Sequence, residues 1–315
     1  LVLFVLAYNF HIFNQTPEVE QLAVPFYMII CLSIFPLMFF IAVEQLTDGL
    51  EYTKISMFFN TTGLVVNAGL NWMLIYGNFG LPALGLIGAG IGTLIARTYM
   101  AIGIWLVVKN KKEFKPFHIK ADFLKIDQES FIKVWKQGIP SGLQFFFEVS
   151  AFSIAAVMIG WLGAVPLAAH NIALSMASTT YMVSSGFASG GSIRVGYYFG
   201  AGDKEGVLKA GKSALFLVSV LMASSCLIFI SCNELLVKLY TTEEVVIPIA
   251  SSLLIFAGVF QLSDGIQVAS TRALLGLEDV RVPAIYTMIA YWLIGLPFGC
   301  VLTFLFDMNV YGIWA

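Results

Sequence analysis

Residues 109–137 read KNKKEFKPFHIKADFLKIDQESFIKVWKQ, eight lysines against four acids, in the only long polar stretch of a 315-residue chain. Apolar runs flank it, IGTLIARTYMAIGIWLVV at 91–108 and SAFSIAAVMIGWL at 150–162. Read outward from this segment, basic and neutral connections alternate between apolar runs. Lys54 lies in one basic connection, and Lys109, Lys111, Lys112, Lys115, Lys120, Lys125, Lys133 and Lys136 lie in or beside the quoted one. Arg194, Lys204, Lys209 and Lys212 occupy a third, and Arg272 and Arg281 a fourth. That leaves Lys238 on the opposite side and Arg97 inside a run, so fifteen of the seventeen basic residues share one side. Lys and Arg near helix ends are retained in the cytoplasm, so the pattern marks a multi-pass membrane protein and gives its orientation.

A span needs about 20 apolar residues at 1.5 Å rise. This places helices at roughly 19–45, 54–77, 83–108, 131–160, 166–200, 204–231, 244–271 and 281–305, with partial spans at both ends. The expected class is all-α, since lipid permits only helices or closed barrels and no alternating strand pattern competes. The composition agrees: 59% hydrophobic and 11% charged residues cannot cover a water-facing surface. The formal net charge of −2 conceals the segregation and gives no basic surface for nucleic acid. Cys31, Cys226, Cys232 and Cys300 all lie in or at the edge of apolar runs without metal-ligand spacing and read as packing residues. The chain opens at Leu1 within an apolar run and closes at Ala315 as another begins, so a longer parent protein is expected.

The chain also repeats. TDGLEYTKIS at 47–56 aligns with LLGLEDVRVP at 274–283, an offset of 227, and the register carries Phe79 onto Phe306 and Gly85 onto Gly312. Six spans separate the matched turns and both turns lie inside, which implies a parallel repeat about an axis along the membrane normal. The expected organisation is a partial first lobe at 1–110, a cytoplasmic linker at 111–130 and a second lobe at 131–315.

Two motifs resemble nucleotide sites on paper. GVLKAGKS at 206–213 matches the phosphate-loop pattern, but a phosphate loop follows a strand, and this one leads into the apolar run ALFLVSVLMASSCLIFI. No ATP site is expected. GLIGAGIGTLIA at 85–96 places Gly85, Gly88 and Gly92 at helical spacing, which reads as close helix packing.

Ionisable groups inside spans carry more information, because each costs about 2.5–3.5 kcal/mol at the bilayer centre on insertion scales. Glu148 in GLQFFFEVSAF has Gln144 one turn before it, and Asp264 in VFQLSDGIQVA has Gln261 and Gln267 three residues to either side. Each acid therefore sits on a polar stripe of an apolar helix near mid-depth. Desolvation and mutual repulsion suit such a pair to holding a proton or a bound cation. A second set of polar stripes, Asn60, Asn67 and Asn71 in one helix and Asn171, Ser175, Ser178, Met182, Ser185 and Ser189 in another, reads either as cavity lining or as interhelical glue. Arg97 pairs with a carboxylate or lines a pathway; His170 in PLAAHNIAL reads as a hydrogen-bonded histidine near a helix start rather than a ligand.

IPSGLQFFFEVSAF, AAHNIAL, SIRVGYYFGAGD at 192–203, FQLSDGIQV with RALLGLEDVRVP, and YWLIGLPFG at 291–299 together resemble the multidrug and toxic compound extrusion (MATE) transporters, particularly the bacterial NorM-type branch. TDGLEYTK and LNWMLIYGNFG resemble the equivalent elements of that family's first half. The resemblance implies twelve helices in two six-helix lobes, of which this chain would hold the end of helix 3 to the start of helix 12. It implies export of organic cations in exchange for Na⁺ or H⁺, with no enzyme activity and no cofactor beyond the coupling ion, by a monomer in the inner membrane. By position, Glu148 matches the family's helix-7 acid and Asp264 its helix-10 acid, the residues that would hold Na⁺ in a sodium-coupled member. Phe260 stands where the family commonly has Tyr, keeping a ring face for a cation while losing an oxygen ligand. The rival reading, a lipid-linked oligosaccharide flippase of related architecture, needs a basic cavity for pyrophosphate, and two acids against Arg97 oppose it.

Overall fold

The computed structural model describes residues 17–117 and 127–315 and divides into two compact units, Leu1–Phe123 and Leu124–Ala315. In the first unit α1 (Pro17–Gly49), α2 (Thr53–Tyr76) and α3 (Gly85–Asn110) form a bundle in which α3 packs against both others. Small residues set the spacing: a Cβ on Gly88 would meet the Leu74 carbonyl oxygen at 2.6 Å, and one on Gly92 the Asn71 amide oxygen at 2.5 Å. The packing expectation holds for these two but not for Gly85, which begins α3 at φ 52° with open space beside it. Phe40, Val43, Phe59, Ile104 and Val108 form the core, joined by Phe114. Phe114 belongs to a short 3₁₀ turn, Lys112–Phe117, that stacks on Tyr52 at 4.9 Å. The start of the expected linker is thus folded onto the first unit, its end is already helical from Gln128, and 118–126 lie outside the described residues.

The second unit holds α4 (Gln128–Gly160), α5 (Ala164–Gly200), α6 (Lys204–Ser231), the short α7 (Asn233–Lys238), α8 (Val246–Gly276), α9 (Arg281–Leu305) and the turn α10 (Val310–Trp314). Asp127 caps α4, accepting the Ser130 N–H at 3.0 Å, and the hydrogen bonds from Ser130 hold its carboxyl below the usual carboxylate range. Helices α5, α6 and α8 pack mutually, and α4 pairs with α9. Where α5 crosses α8 the backbones nearly touch, a Cβ on Gly276 falling 2.6 Å from the Ser192 carbonyl oxygen. Helix α9 is irregular, with π-helical stretches at Ile289–Gly295 and Val301–Leu305 that the sequence did not announce.

Six described helices are long and apolar enough to cross a membrane. The two others of spanning length, α2 and α5, carry the asparagine and serine stripes. Large apolar side chains such as Leu64, Phe145, Phe216 and Leu227 stand exposed on the helix surfaces, where lipid satisfies them. The fold is all-α and multi-pass.

The repeat is visible in backbone geometry. Glu51, between α1 and α2, and Glu278, between α8 and α9, both take positive φ, 64° and 61°. The N–H of Tyr52 reaches the Thr47 oxygen at 2.8 Å, and Asp279 reaches Leu274 at 2.9 Å, each pair 227 residues apart. GVLKAGKS lies wholly inside α6, and the N–H of Gly206 is taken by the capping carboxylate of Asp203.

Candidate functional site

Glu148, half-buried on α4, and Asp264, buried on α8, lie within electrostatic reach of one another. Tyr181 on α5 and Tyr291 on the first π-helical stretch of α9 complete the group, each feeling both carboxylates. The Tyr181 hydroxyl donates to Glu148 Oε1 at 3.5 Å, and the indole N–H of Trp292 donates to the Phe147 carbonyl at 3.1 Å, fixing α9 beside the acid. Gln261, one turn from Asp264, is fully buried, and neither atom of its amide has a hydrogen-bond partner among the described residues. Gln144 and Gln267 are partly exposed, as is Phe260.

Arg272 requires a correction. The charge pattern assigned it to a cytoplasmic connection, but α8 continues to Gly276 and carries Arg272 in its penultimate turn. Its guanidinium reaches Ser185 Oγ at 3.5 Å and acts on Glu148 and Tyr181. The group thus holds two carboxylates and one guanidinium. A helix end drawn at 271 removed this residue from consideration; Tyr181, falling between Ser178 and Ser185 on the noted stripe, was within reach of the same periodicity.

The polar stripes divide. The Asn67 amide donates to Thr93 of α3 at 3.4 Å, an interhelical bond, and its oxygen accepts from Asn71 one turn on in the same helix at 3.2 Å. Asn171, Ser175, Ser178 and Met182 stand exposed on a face of α5 that the second unit leaves open. Arg97 donates to the Ser33 hydroxyl at 2.6 Å. His170 is buried and accepts at Nδ1 from the Trp314 indole at 3.1 Å, the hydrogen-bonded state expected of it.

A cavity of about 330 Å³ opens one turn from both acids, lined by Ala151, Phe152 and Met158 of α4, Phe260 of α8, and Tyr291 and Phe298 of α9. Among the described residues no cluster of three or more His, Cys, Asp or Glu forms a metal centre. What the group can do is neutralise one entering cation: both carboxylates ionised against Arg272 leave one negative charge.

The MatE family profile matches residues 1–73 and 140–301. The "Probable multidrug resistance protein NorM" of Brucella suis is 32% identical over 309 residues, 96% of this chain and 65% of the relative. The multidrug resistance protein NorM of Vibrio vulnificus is 36% identical over 84% of this chain and 58% of its own length. The chain therefore spans less than two thirds of these relatives. Among solved structures, the eukaryotic MATE transporter AtDTX14 aligns with a TM-score of 0.85 at 19% identity, covering 99% of this chain and 69% of that one. A MATE crystal structure in the bent conformation aligns at 0.88 with 17% identity over 99% and 68% of the two chains. With the profile covering most of the chain on both sides of the polar connection, this chain belongs to the MATE family.

Proposed function

We propose that this chain is the greater part of a secondary active exporter in the inner membrane, in which organic cations leave as Na⁺ or H⁺ enters. Glu148 and Asp264 alternately hold and release the coupling ion, so ion and drug favour opposite states of the carrier. The observation that carries the reading is that two carboxylates lie within electrostatic reach of one another in an apolar helix group with one guanidinium, Arg272, acting on Glu148. Each acid alone costs about 2.5–3.5 kcal/mol at mid-membrane. A cation about 4 Å from one of them gains on the order of 4 kcal/mol at an effective dielectric of 20, enough to hold and then release an ion. Each charge crossing the membrane contributes about 2.3 kcal/mol per 100 mV. The oxygen that Phe260 lacks has substitutes in the hydroxyls of Tyr181 and Tyr291. The NorM relatives are named multidrug resistance proteins, which supports drugs as the exported substrates. A pyrophosphate-carrying flippase would need net positive charge here, which one guanidinium against two carboxylates does not provide.

The test is uptake of a fluorescent organic cation into proteoliposomes under an imposed Na⁺ or pH gradient, applied separately. One gradient should drive accumulation well above the gradient-free level. If neither does, while ATP or a lipid-linked sugar supports transport, the reading is wrong.

A further inference from the structure

A second cavity, of about 660 Å³, opens between α5 and α6 and takes none of its wall from the group around Glu148 and Asp264. Its wall is graded. Arg194, Tyr198, Lys209 and Ser213 line one end, and Val183, Phe187 and Leu217, each about half exposed, line the other. Between them Gly186 and Gly190 leave a groove, since a Cβ on either would meet nothing within 4 Å, while Gly191 lies against Ala214 and closes the floor.

The two cations share one depth. Arg194 is six residues before the end of α5 at Gly200, about 9 Å, and Lys209 five residues after the start of α6 at Lys204, about 7–8 Å. The charge rule assigns this end to the cytoplasm, where the headgroup layer is roughly 5–7 Å thick. Arg194 and Lys209 therefore stand where phosphates meet hydrocarbon. The Lys209 ammonium meets Glu205 at 2.7 Å, but both groups are highly exposed, so the pair is weak and leaves two N–H donors for another acceptor. The cavity residues of α5 lie about a third of a turn round the helix from the open stripe of Asn171, Ser175, Ser178 and Met182, so the cavity looks another way. Beyond it Leu217, Val220 and Leu227 continue an exposed apolar surface along α6. Two cations and two hydroxyls at phosphate depth, opening onto an apolar groove, match a phosphodiester with an acyl chain; a zwitterionic headgroup would bring its own ammonium against them.

We infer that this cavity holds an anionic phospholipid, its phosphate between Arg194 and Lys209 and an acyl chain over Gly186 and Gly190. The inference does not depend on the exporter reading, because the lipid binds without a gradient and without a drug.

The test is equilibrium binding of phosphatidylglycerol, phosphatidylethanolamine and phosphatidylcholine, each carrying a fluorophore on the acyl chain, to the purified protein in micelles of a neutral detergent. Phosphatidylglycerol should bind roughly tenfold more tightly than either zwitterionic lipid. Arg194→Gln and Lys209→Gln should each cut that preference to about threefold, and together to within about twofold, by weakening phosphatidylglycerol alone. Lys212→Gln removes the same charge from an exposed residue outside the cavity wall and should leave the preference intact. Gly190→Leu, whose side chain enters open space, should fill the groove and weaken all three lipids without lowering the melting temperature. Equal affinities in the unaltered protein, a preference that survives the double variant, an equal loss in Lys212→Gln, or unchanged binding in Gly190→Leu overturns the inference. Should the double variant fail to fold, the preference of the unaltered protein and its response to Lys212→Gln and Gly190→Leu decide.

Discussion

The carboxylates of Glu148 and Asp264 stood out from the sequence because an acid inside an apolar run is rare and expensive. The residues that complete the group were not legible in the same way. Tyr291 is an aromatic residue in a membrane helix, where aromatics are common, and nothing in its spacing separates a site tyrosine from a packing one, whereas Tyr181 lies on the serine stripe of α5. Arg272 was hidden by a boundary, since five further residues of helix turn it from a loop charge into one that faces the group. Two expectations follow at this scale. Glu148→Gln or Asp264→Asn should preserve insertion and raise thermal stability by relieving the burial of a charge, while gradient-driven export falls to background; export at the unaltered rate in both would make the pair structural. Arg272→Gln should tighten coupling-ion binding on the order of tenfold, about 1.4 kcal/mol, because the guanidinium competes with the ion for Glu148. The ion concentration giving half-maximal export measures it, and a rise in that concentration would contradict the competition.

At the scale of elements, the apolar period located every described spanning helix to within a few residues, because lipid leaves the backbone no alternative to helix. The irregularity of α9 escaped, since a π-helical stretch leaves composition unchanged and depends on what the helix packs against. Helix contact was partly readable: Gly88 and Gly92 do bring backbones together, whereas Gly85 serves a turn. The distinction predicts opposite responses to the same change. Gly276→Ala would place a methyl 2.6 Å from the Ser192 carbonyl oxygen, and should destabilise by about 1–3 kcal/mol as α5 and α8 are forced apart. Gly186→Ala on α5 meets nothing within 4 Å, and should be neutral or stabilise by up to about 1 kcal/mol through helix propensity. Thermal melting in detergent compares them, and equal melting temperatures would show that the α5–α8 contact is not close-packed.

At the scale of the whole molecule, orientation follows from charge and length together. Helix α5 has 37 residues, about 55 Å at 1.5 Å each, longer than the roughly 40–45 Å of a bilayer with its headgroups. It is long enough for its two ends to emerge on opposite sides. The end leading into Lys204 carries the basic connection and the end at Ala164 carries none, so the charge rule predicts a cytoplasmic first end and an external second. The exposed pair Lys133 with Glu278, at 3.0 Å, joins the start of α4 to the turn after α8, placing two of the basic connections at one end of the second unit. Such a pair contributes at most about 1 kcal/mol, but its geometry agrees with the charge rule. Cys232 is exposed, so labelling needs a cysteine-free background. In that background, Ala164→Cys should react with an impermeant maleimide added to intact cells, and Lys204→Cys only after the membrane is opened. Reaction of both from outside would show that α5 does not cross the membrane, and reaction of Lys204→Cys alone would reverse the orientation, and with it the direction in which Glu148 and Asp264 are proposed to load and release their ion.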